Sequence, residues 1–340
     1  MKNPNQIPCL HHEGVRIEIV DEVMYLGNMF NEKGNNNGSK IVDRVNKAKT
    51  CMIESLSLCS EITIGVYILQ SLLMTHDMMF IPTLLYGAQT WTNLTVADEK
   101  QLKTIQLKFL KRIMRVPSSA CNAIIYLELG VLPVSFEIHI MKLMFLHHIL
   151  TLEDDDPVKR TYQEQSTIPE EKNWAKEVSE LRLKYEIDEG EEEIAGLSKE
   201  QWKDKVHSKV KPSAIVQLNM EKNKLSKSST YPDVKTFEAA EYISKLNVSN
   251  ACLLFRVRSR IIDVKEFHGY KYKSDQVCRC CGLYEETLAH VWSECPNLET
   301  DPCRENDEFS EDLKVLEKII LRINEFTMKI DAEEDGDTEE

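Results

Sequence analysis

Four residues near the C-terminus have the types and spacing of a metal-binding set. Cys278, Cys281, His290 and Cys295 follow the pattern C-x2-C-x8-H-x4-C within the run CRCCGLYEETLAHVWSEC. Three thiolates and one imidazole form the soft, four-ligand shell that Zn²⁺ takes up in closed tetrahedral sites, which leave no coordination position for water. The pattern therefore predicts a structural zinc ion in a small zinc-knuckle module that has a poor core and folds only with its metal.

Cys280 leaves the choice of ligands open. It lies between the first two cysteines of the set, so it could replace Cys278 or Cys281 as a ligand, or be a free thiol. The chain contains ten cysteines, and a chance match to the spacing is the competing interpretation. The histidine at finger-like spacing favours the metal site.

The length and composition indicate a globular protein. With 340 residues, of which 42% are hydrophobic, the chain is long enough for a real core and about two domains. The N-terminus has no apolar signal segment, and polar residues and Pro82 interrupt the most apolar stretch, residues 66–91. We therefore expect neither secretion nor a membrane span. Cysteines that are scattered singly outside the metal set favour a reducing compartment, either nuclear or cytoplasmic.

The net charge of −14 is concentrated in three acidic runs. Residues 153–156, 186–193 and 331–340 together hold 17 acids, and the remainder of the chain has 39 acids against 42 Lys and Arg. Runs of like charge are typical of solvated linkers or tails, and we expect the terminal run DAEEDGDTEE to be disordered. The folded remainder is mildly basic, so the charge does not exclude a nucleic-acid partner.

The spacing of apolar residues predicts a mainly α fold with a short N-terminal β-hairpin. The β-branched stretch 15–23 and the following MYLGNMF favour the hairpin, and apolar steps of three and four residues then favour helices. We divide the chain into a hairpin (1–34), a helical domain (35–152), a charged linker or connector (153–235), a helical basic segment with the zinc knuckle (236–300) and an acidic tail (301–340).

Two segments carry cations suited to nucleic-acid phosphates. The predicted helix that ends near Arg115 has a row of cations on its outer face, although an ordinary solvated helix explains the row equally well. The second segment precedes the metal set and interleaves cations with aromatic rings that can stack on unpaired bases. The candidate residues are Lys108, Lys111, Arg112 and Arg115 in the first segment, and Arg256, Arg258, Arg260, Lys265, Tyr270, Lys271, Tyr272 and Lys273 in the second.

Five stretches together resemble the C-terminal part of the reverse transcriptase of non-LTR retrotransposons. They are MYLGNMF, IPTLLYGAQTW, LKFLKRIMRVPSSA, YLELGVLPV and the long run from LFRVRSR to HVWSEC, in the same order and at similar spacing. The resemblance covers about two-thirds of the chain. It implies that residues 25–27 end a polymerase palm, that residues 41–150 form a helical thumb, and that the Cys and His set is a CCHC zinc knuckle.

The residues that catalyse polymerisation are missing from the sequence. A polymerase holds its metal ions with adjacent aspartates on a palm hairpin, whereas the run at 154–156 lies in the expected linker. We therefore expect a truncated retroelement fragment that binds zinc and RNA or single-stranded DNA without sequence preference, with no enzymatic activity and no small-molecule substrate. The alternatives are a protein-interaction module with a structural zinc ion, or part of an active RNA-directed DNA polymerase whose palm is encoded upstream.

Overall fold

Helices dominate the fold and enclose two adjoining apolar cores. The computed structural model describes residues 11–12, 15–16, 22–25, 28–31, 37–61, 68–168, 172–225, 229–268, 275–304 and 306–336. Within these residues the secondary structure is mainly α, which confirms the predicted fold class.

The N-terminal strands are short and pair in two separate antiparallel ladders. Strand β1 (His11–His12) pairs with β2 (Val15–Arg16), and β3 (Glu22–Tyr25) pairs with β4 (Asn28–Asn31). The short N-terminal hairpin predicted from residues 15–23 and the following MYLGNMF is not seen in that form. Leu26 and Gly27, which the resemblance assigns to a palm, lie outside the described residues.

Most of the helices follow one another with short connections, and longer stretches separate α10 from α11 and α12 from α13. In chain order they are α1 (Asn37–Glu61), α2 (Ile68–Thr75), α3 (Ile81–Leu84), α4 (Val96–Ile113), α5 (Asn122–Leu129), α6 (Val134–Leu150), α7 (Pro157–Thr167), α8 (Trp174–Lys184), α9 (Glu191–Gly196), α10 (Lys199–Asn223), α11 (Tyr242–Lys245), α12 (Val248–Arg258) and α13 (Leu313–Gly336). A π-helical turn, His76–Phe80, joins α2 to α3. Among the described helices none is by itself long and apolar enough to cross a membrane, although the bent pair α5 and α6 passes that test together.

Local signals in the sequence set the ends of α4 and α5. Thr95 and Asp98 form a capping box in which the Thr95 hydroxyl accepts from the Asp98 amide at 3.2 Å and the Asp98 carboxylate accepts from the Thr95 amide at 3.0 Å. Helix α5 ends at Gly130, whose φ of 62° lies in the left-handed region. A Cβ at Gly130 would lie 2.4 Å from the Ala239 nitrogen, so glycine is required for the close approach of this segment.

The segment 153–235 is a folded helical layer, and its interpretation as a charged linker is wrong. Helices α7 to α10 build a second core against α6, in which Trp202 is fully buried and its indole donates to the Leu143 carbonyl at 2.9 Å. Trp174 is also buried and donates to the Gln89 carbonyl at 2.7 Å. Two tryptophans supply a large apolar area at few positions, so a low apolar density in the sequence still builds a core.

The segment 301–340 is not only an acidic tail. Helix α13 buries one apolar face in the main core through Leu316, Ile319, Ile323 and Phe326. These positions recur at steps of three and four residues, which is the pattern of an amphipathic helix. The acidic run that follows concealed this pattern, since residues 331–340 dominate the composition of the segment. Residues 337–340 lie outside the described part.

A buried ion pair joins the helical domain to the C-terminal segments. The Arg258 guanidinium on α12 donates to the Glu128 carboxylate on α5 at 2.8 Å, and the Glu128 side chain is fully buried. Glu128 also accepts from the Tyr231 hydroxyl. Arg258 donates further to the carbonyls of Glu308 and Ser310, which precede α13. Four stretches of chain that are distant in sequence therefore meet at one pair of charges.

Removal of one charge from this pair should destabilise the whole protein. Glu128→Gln leaves the Arg258 guanidinium buried without a counter-charge, and we expect the free energy of unfolding to fall by about 3–5 kcal/mol. Urea denaturation followed by circular dichroism measures the change. The control is Lys47→Gln, which breaks the exposed pair between Lys47 and Asp43 and should cost less than about 1 kcal/mol. Equal losses in the two variants would contradict a central role for the buried pair.

Candidate metal centre

A tight hairpin positions the first two cysteines of the metal set. Val277 pairs with Glu285 in an antiparallel bridge, and the Cys278 amide donates to the Tyr284 carbonyl at 2.7 Å. The turn closes where the Gly282 amide donates to the Cys278 carbonyl at 2.8 Å. Gly282 has a φ of 64°, a left-handed conformation that favours glycine. The hairpin thus brings both thiols of the C-x2-C pair to one side.

A π-helical turn positions the other two ligands. The turn His290–Glu294 ends where the Cys295 amide donates to the His290 carbonyl at 2.8 Å. This hydrogen bond joins residues five positions apart and so places His290 and Cys295 next to each other. In an α-helical turn the bond joins residues four positions apart, and residues at the spacing of His290 and Cys295 are not brought together in this way. The unusual turn therefore matches the four-residue gap between His290 and Cys295.

The four predicted side chains converge on one point. Their ligand atoms all lie within 4.8 Å of one another, and the Cys281 Sγ lies 3.3 Å from the His290 Nε2. In tetrahedral zinc sites the ligand bond lengths imply separations of roughly 3.3–3.8 Å between ligand atoms, so small adjustments would close the shell. Cys278, His290 and Cys295 are buried and Cys281 is half-buried. The cluster could hold a metal ion, and its soft donors are compatible with zinc.

Cys280 lies beside the cluster but outside the convergent set. The four atoms that meet belong to the residues predicted from the spacing, and Cys280 is not one of them. Its side chain is buried, and its carbonyl accepts from the Asn297 amide group at 2.8 Å. The eight cysteines whose side chains the structure describes are all free thiols, which excludes a disulfide among them. Cys280 is therefore a thiol of the hairpin that does not belong to the convergent metal set.

Burial gives the cluster its acid–base character. Desolvation raises the pKa of the Cys278 and Cys295 thiols well above their ordinary value, because a buried thiolate without a counter-charge is unfavourable. Burial also lowers the pKa of His290, which keeps its imidazole neutral and able to coordinate. A divalent cation would supply the missing positive charge, so metal binding and thiol deprotonation are coupled.

A second set of charges holds the hairpin in place. The Glu286 carboxylate is fully buried and accepts from the Arg279 guanidinium at 2.7 Å and from the Lys265 amide at 2.9 Å. Arg279 also pairs with Asp263 at 3.2 Å. Sequence reasoning missed this network, although a single arginine between the two cysteines of a C-x2-C pair was a visible signal. The network fixes the orientation of the first two ligands.

Helix α13 packs against the other side of the metal centre. Arg322 is buried, and its Nε donates to the Val291 carbonyl in the π-helical turn at 2.8 Å. The Glu325 carboxylate accepts from the amides of Glu299 and Thr300 at 2.7 and 3.0 Å. The Cys and His cluster belongs to the main apolar core, which includes Cys278 and Cys295. The expectation of a small module with a poor core is therefore wrong.

Three of the predicted nucleic-acid contacts form ion pairs within the protein. Arg258 is committed to Glu128, Arg260 pairs with Glu308 at 3.0 Å, and Lys265 pairs with Asp275 at 2.7 Å. The Arg258 and Lys265 side chains are buried, so phosphate could not reach them without unfolding the site. The assignment of Arg258 and Lys265 to nucleic-acid binding is wrong for this reason. The predicted residues Tyr270, Lys271, Tyr272 and Lys273 lie outside the described residues.

The remaining predicted cations come together at one place. Lys108, Arg112 and Arg115 are exposed at the end of α4, and the Arg256 guanidinium at the end of α12 donates to the Arg115 carbonyl at 2.6 Å. Lys111 differs from its neighbours because its ammonium group donates to the carbonyls of Ser118 and Ala120. We call Lys108, Arg112, Arg115 and Arg256 the cationic patch.

Comparisons with protein-family models, curated proteins and solved structures give no match to this chain.

Metal analysis of the purified protein checks the ligand set. We expect about one zinc ion per chain, and a content near zero after Cys281→Ser or His290→Ala, because each substitution removes a convergent ligand. Cys280→Ser is the matched control and should retain the metal. A wild-type content well below one ion in fully reduced protein, or loss of the metal from the control alone, would contradict the assignment.

The affinity for zinc should rise steeply with pH. The raised pKa values mean that the Cys278 and Cys295 thiols keep their protons near neutral pH, and metal binding must displace them. With two protons released, the apparent affinity should increase by about 100-fold per pH unit from pH 6 to 8. Competition with a chelator of known pH dependence measures this slope. An affinity that is constant with pH would show that the thiols are already ionised.

Proposed function

We propose that this protein is a zinc-containing nucleic-acid-binding protein that contacts phosphates through the cationic patch and has no polymerase activity of its own. The observation that carries the proposal is the meeting of the ends of α4 and α12, where Arg256 bonds to the Arg115 carbonyl. None of the four patch residues forms an ion pair with another residue of the described part of the chain. Their charges remain available to a ligand.

The patch has the chemistry that a phosphate backbone requires. Guanidinium groups bind phosphate oxygens bidentately, and three of the four patch residues are arginines. Cations in the last turn of α4 also complement the helix dipole, which is the structural explanation for Arg112. That explanation does not extend to Arg256, which comes from another helix. Contributions from two helices to one surface favour a ligand larger than a single ion.

The metal centre has a supporting role in this proposal. Its ligands are buried and their surroundings are neutralised by ion pairs, so zinc would stabilise the C-terminal segments instead of contacting phosphate. Helix α12 packs against α13, and the metal cluster packs against α13 as well. Zinc would thus hold Arg256 in its position beside α4.

The resemblance to a non-LTR retrotransposon reverse transcriptase is part of the same proposal. A helical thumb follows a template and primer through their phosphates, and α4 would provide such a surface. We assign no chemistry to the chain, because the paired aspartates of a polymerase palm are missing from its sequence. The expected partners are RNA or single-stranded DNA, bound without sequence preference in the nucleus or cytoplasm.

An exposed group of methionines favours protein interaction as a second candidate function. Met74, Met78 and Met79 are 60%, 71% and 56% exposed in and beside the π-helical turn that joins α2 to α3. Flexible, polarizable methionine side chains are frequent at protein-binding surfaces. An interface of this kind would respond little to salt, so salt separates the two functions.

The salt dependence of oligonucleotide binding tests the cationic patch. If about three phosphates of a single strand are neutralised, log affinity should fall against log salt with a slope near −2. The double variant Arg112→Gln with Arg256→Gln removes two of these charges, and its slope should be shallower by about 1.4. Fluorescence anisotropy with a labelled single strand, measured from low to moderate salt, gives both slopes.

A charge-matched variant separates the patch from a general effect of charge. Lys199 and Lys203 are exposed on α10, so Lys199→Gln with Lys203→Gln changes the net charge equally and should leave the slope unaltered. Equal changes in both double variants would remove the patch from the proposal. If the wild type shows no binding at low salt, the protein-interaction function replaces nucleic-acid binding.

A further inference from the structure

A large cavity adjoins the metal centre. It has a volume of about 790 Å³, within the range of small-ligand sites. One wall is the helical turn that carries the metal ligand His290, and it contributes Leu288, Ala289 and Trp292. The lining also includes Phe267 and Arg260, whose guanidinium lies 6.0 Å from the centre of the Phe267 ring. The Trp292 indole donates to the Arg304 carbonyl at 2.7 Å, which fixes the orientation of its ring.

Two residues in the lining of this cavity have an unfavourable backbone conformation. Arg260 and Asn306 both line it, and both have a positive φ, 56° and 67° respectively. Arginine rarely adopts this conformation, and a non-glycine residue held in it costs of order 1–3 kcal/mol unless the surroundings enforce it. Arg260 directly follows α12 at a position where helices usually place glycine. Its side chain is therefore retained in the cavity wall despite an unfavourable backbone.

The polar groups of the cavity suit a neutral ligand with hydrogen-bonding edges. The Arg260 guanidinium pairs with Glu308, lies 6.0 Å from the centre of the Phe267 ring, and has a buried Nη1 that makes no hydrogen bond within the described structure. Asn306 is exposed and adds an amide. The lining contains two carboxylates, Glu266 and Glu308, and one arginine. Its formal charge is therefore negative, and the cavity does not attract phosphate.

We propose that this cavity receives one unpaired base of a bound single strand, against the lining that includes Phe267 and Trp292 and beside the Arg260 guanidinium. Aromatic rings can stack on the face of a base, and polar side chains can form hydrogen bonds with its edge. The inference rests on the proposed nucleic-acid binding and extends it from phosphates to bases. The two sites are near each other, since the Ile261 amide, next to Arg260, donates to the Arg256 carbonyl at 2.8 Å.

Oligonucleotides that lack bases test the cavity separately from the phosphates. The zinc-loaded full-length protein is titrated with a single strand of about 12 nucleotides and with an abasic strand of equal length and charge at the same salt concentration. Stacking of one base predicts that the base-containing strand binds at least about 5-fold more tightly. Equal affinities would overturn the base site and leave the phosphate patch intact, whereas binding of neither strand would overturn the proposed function as well.

Two variants assign the preference to this cavity. Ala289 is exposed on its wall, so Ala289→Phe should fill the space and reduce the affinity for the base-containing strand to that for the abasic strand. Ala97→Phe, at an exposed alanine of α4 outside the cavity, is the matched control and should preserve the preference.

Asn306→Gly removes the amide but suits the left-handed backbone, so the fold is retained. It should weaken binding of the base-containing strand about 2- to 12-fold and leave abasic binding unchanged. A preference that survives both Ala289→Phe and Asn306→Gly would place base binding elsewhere and overturn the inference.

Discussion

The buried pair between Glu128 and Arg258 is the interaction on which the arrangement of the chain depends. A carboxylate and a guanidinium removed from water lose much hydration free energy, and only close geometry with additional hydrogen bonds compensates for the loss. Here Glu128 has a second donor in Tyr231, and Arg258 has carbonyl acceptors before α13 and lies 4.5 Å from the centre of the Tyr242 ring. The pair is satisfied only when the helical domain, the connector and the C-terminal segments are all in place.

The same constraint explains why the metal centre is part of the main core. Helix α12 carries Arg258 at its end and leads through Arg260 and Lys265 to the cysteine hairpin. Each of these three cations is neutralised by a different acid, from α5, from the segment before α13, and from the residues just before the hairpin. Glu286 holds the cysteine hairpin in place, and Arg322 holds the other side of the metal cluster. Zinc would therefore add stability to a structure that already has a core, instead of creating one.

Some charged side chains form ion pairs within the fold and others form none among the described residues. The composition of the chain does not distinguish the two kinds. The chain has a net charge of −14, yet Lys108, Arg112, Arg115 and Arg256 form one surface without acidic partners among the described residues. Electrostatic interactions at moderate salt extend over about 10 Å, so distant acids would weaken the proposed phosphate binding without abolishing it. The cavity beside the metal centre has the opposite balance, and a neutral base suits it better than a phosphate.

Sequence alone determined the elements whose signals are local. The candidate metal set follows from the chemistry of thiolate and imidazole donors at fixed spacing, and its four side chains converge on a point that could hold a metal ion. The mainly α fold, the capping box at Thr95 and the end of α5 at Gly130 also follow from short-range patterns. Such signals depend on residues within a few positions of one another, and one turn of chain suffices to satisfy them.

Tertiary structure alone decided which charges are paired. Arg256 and Arg258 are two residues apart and look equivalent in the sequence, but α12 directs one to the Arg115 carbonyl at the surface and the other to Glu128 in the core. The partner of Arg258 lies 130 positions away, so no local pattern could identify it. The core of residues 157–223 likewise depends on α6, whose two faces are both buried. Long-range contacts determined these roles because desolvation and pairing depend on what surrounds a side chain in space, not on its neighbours in sequence.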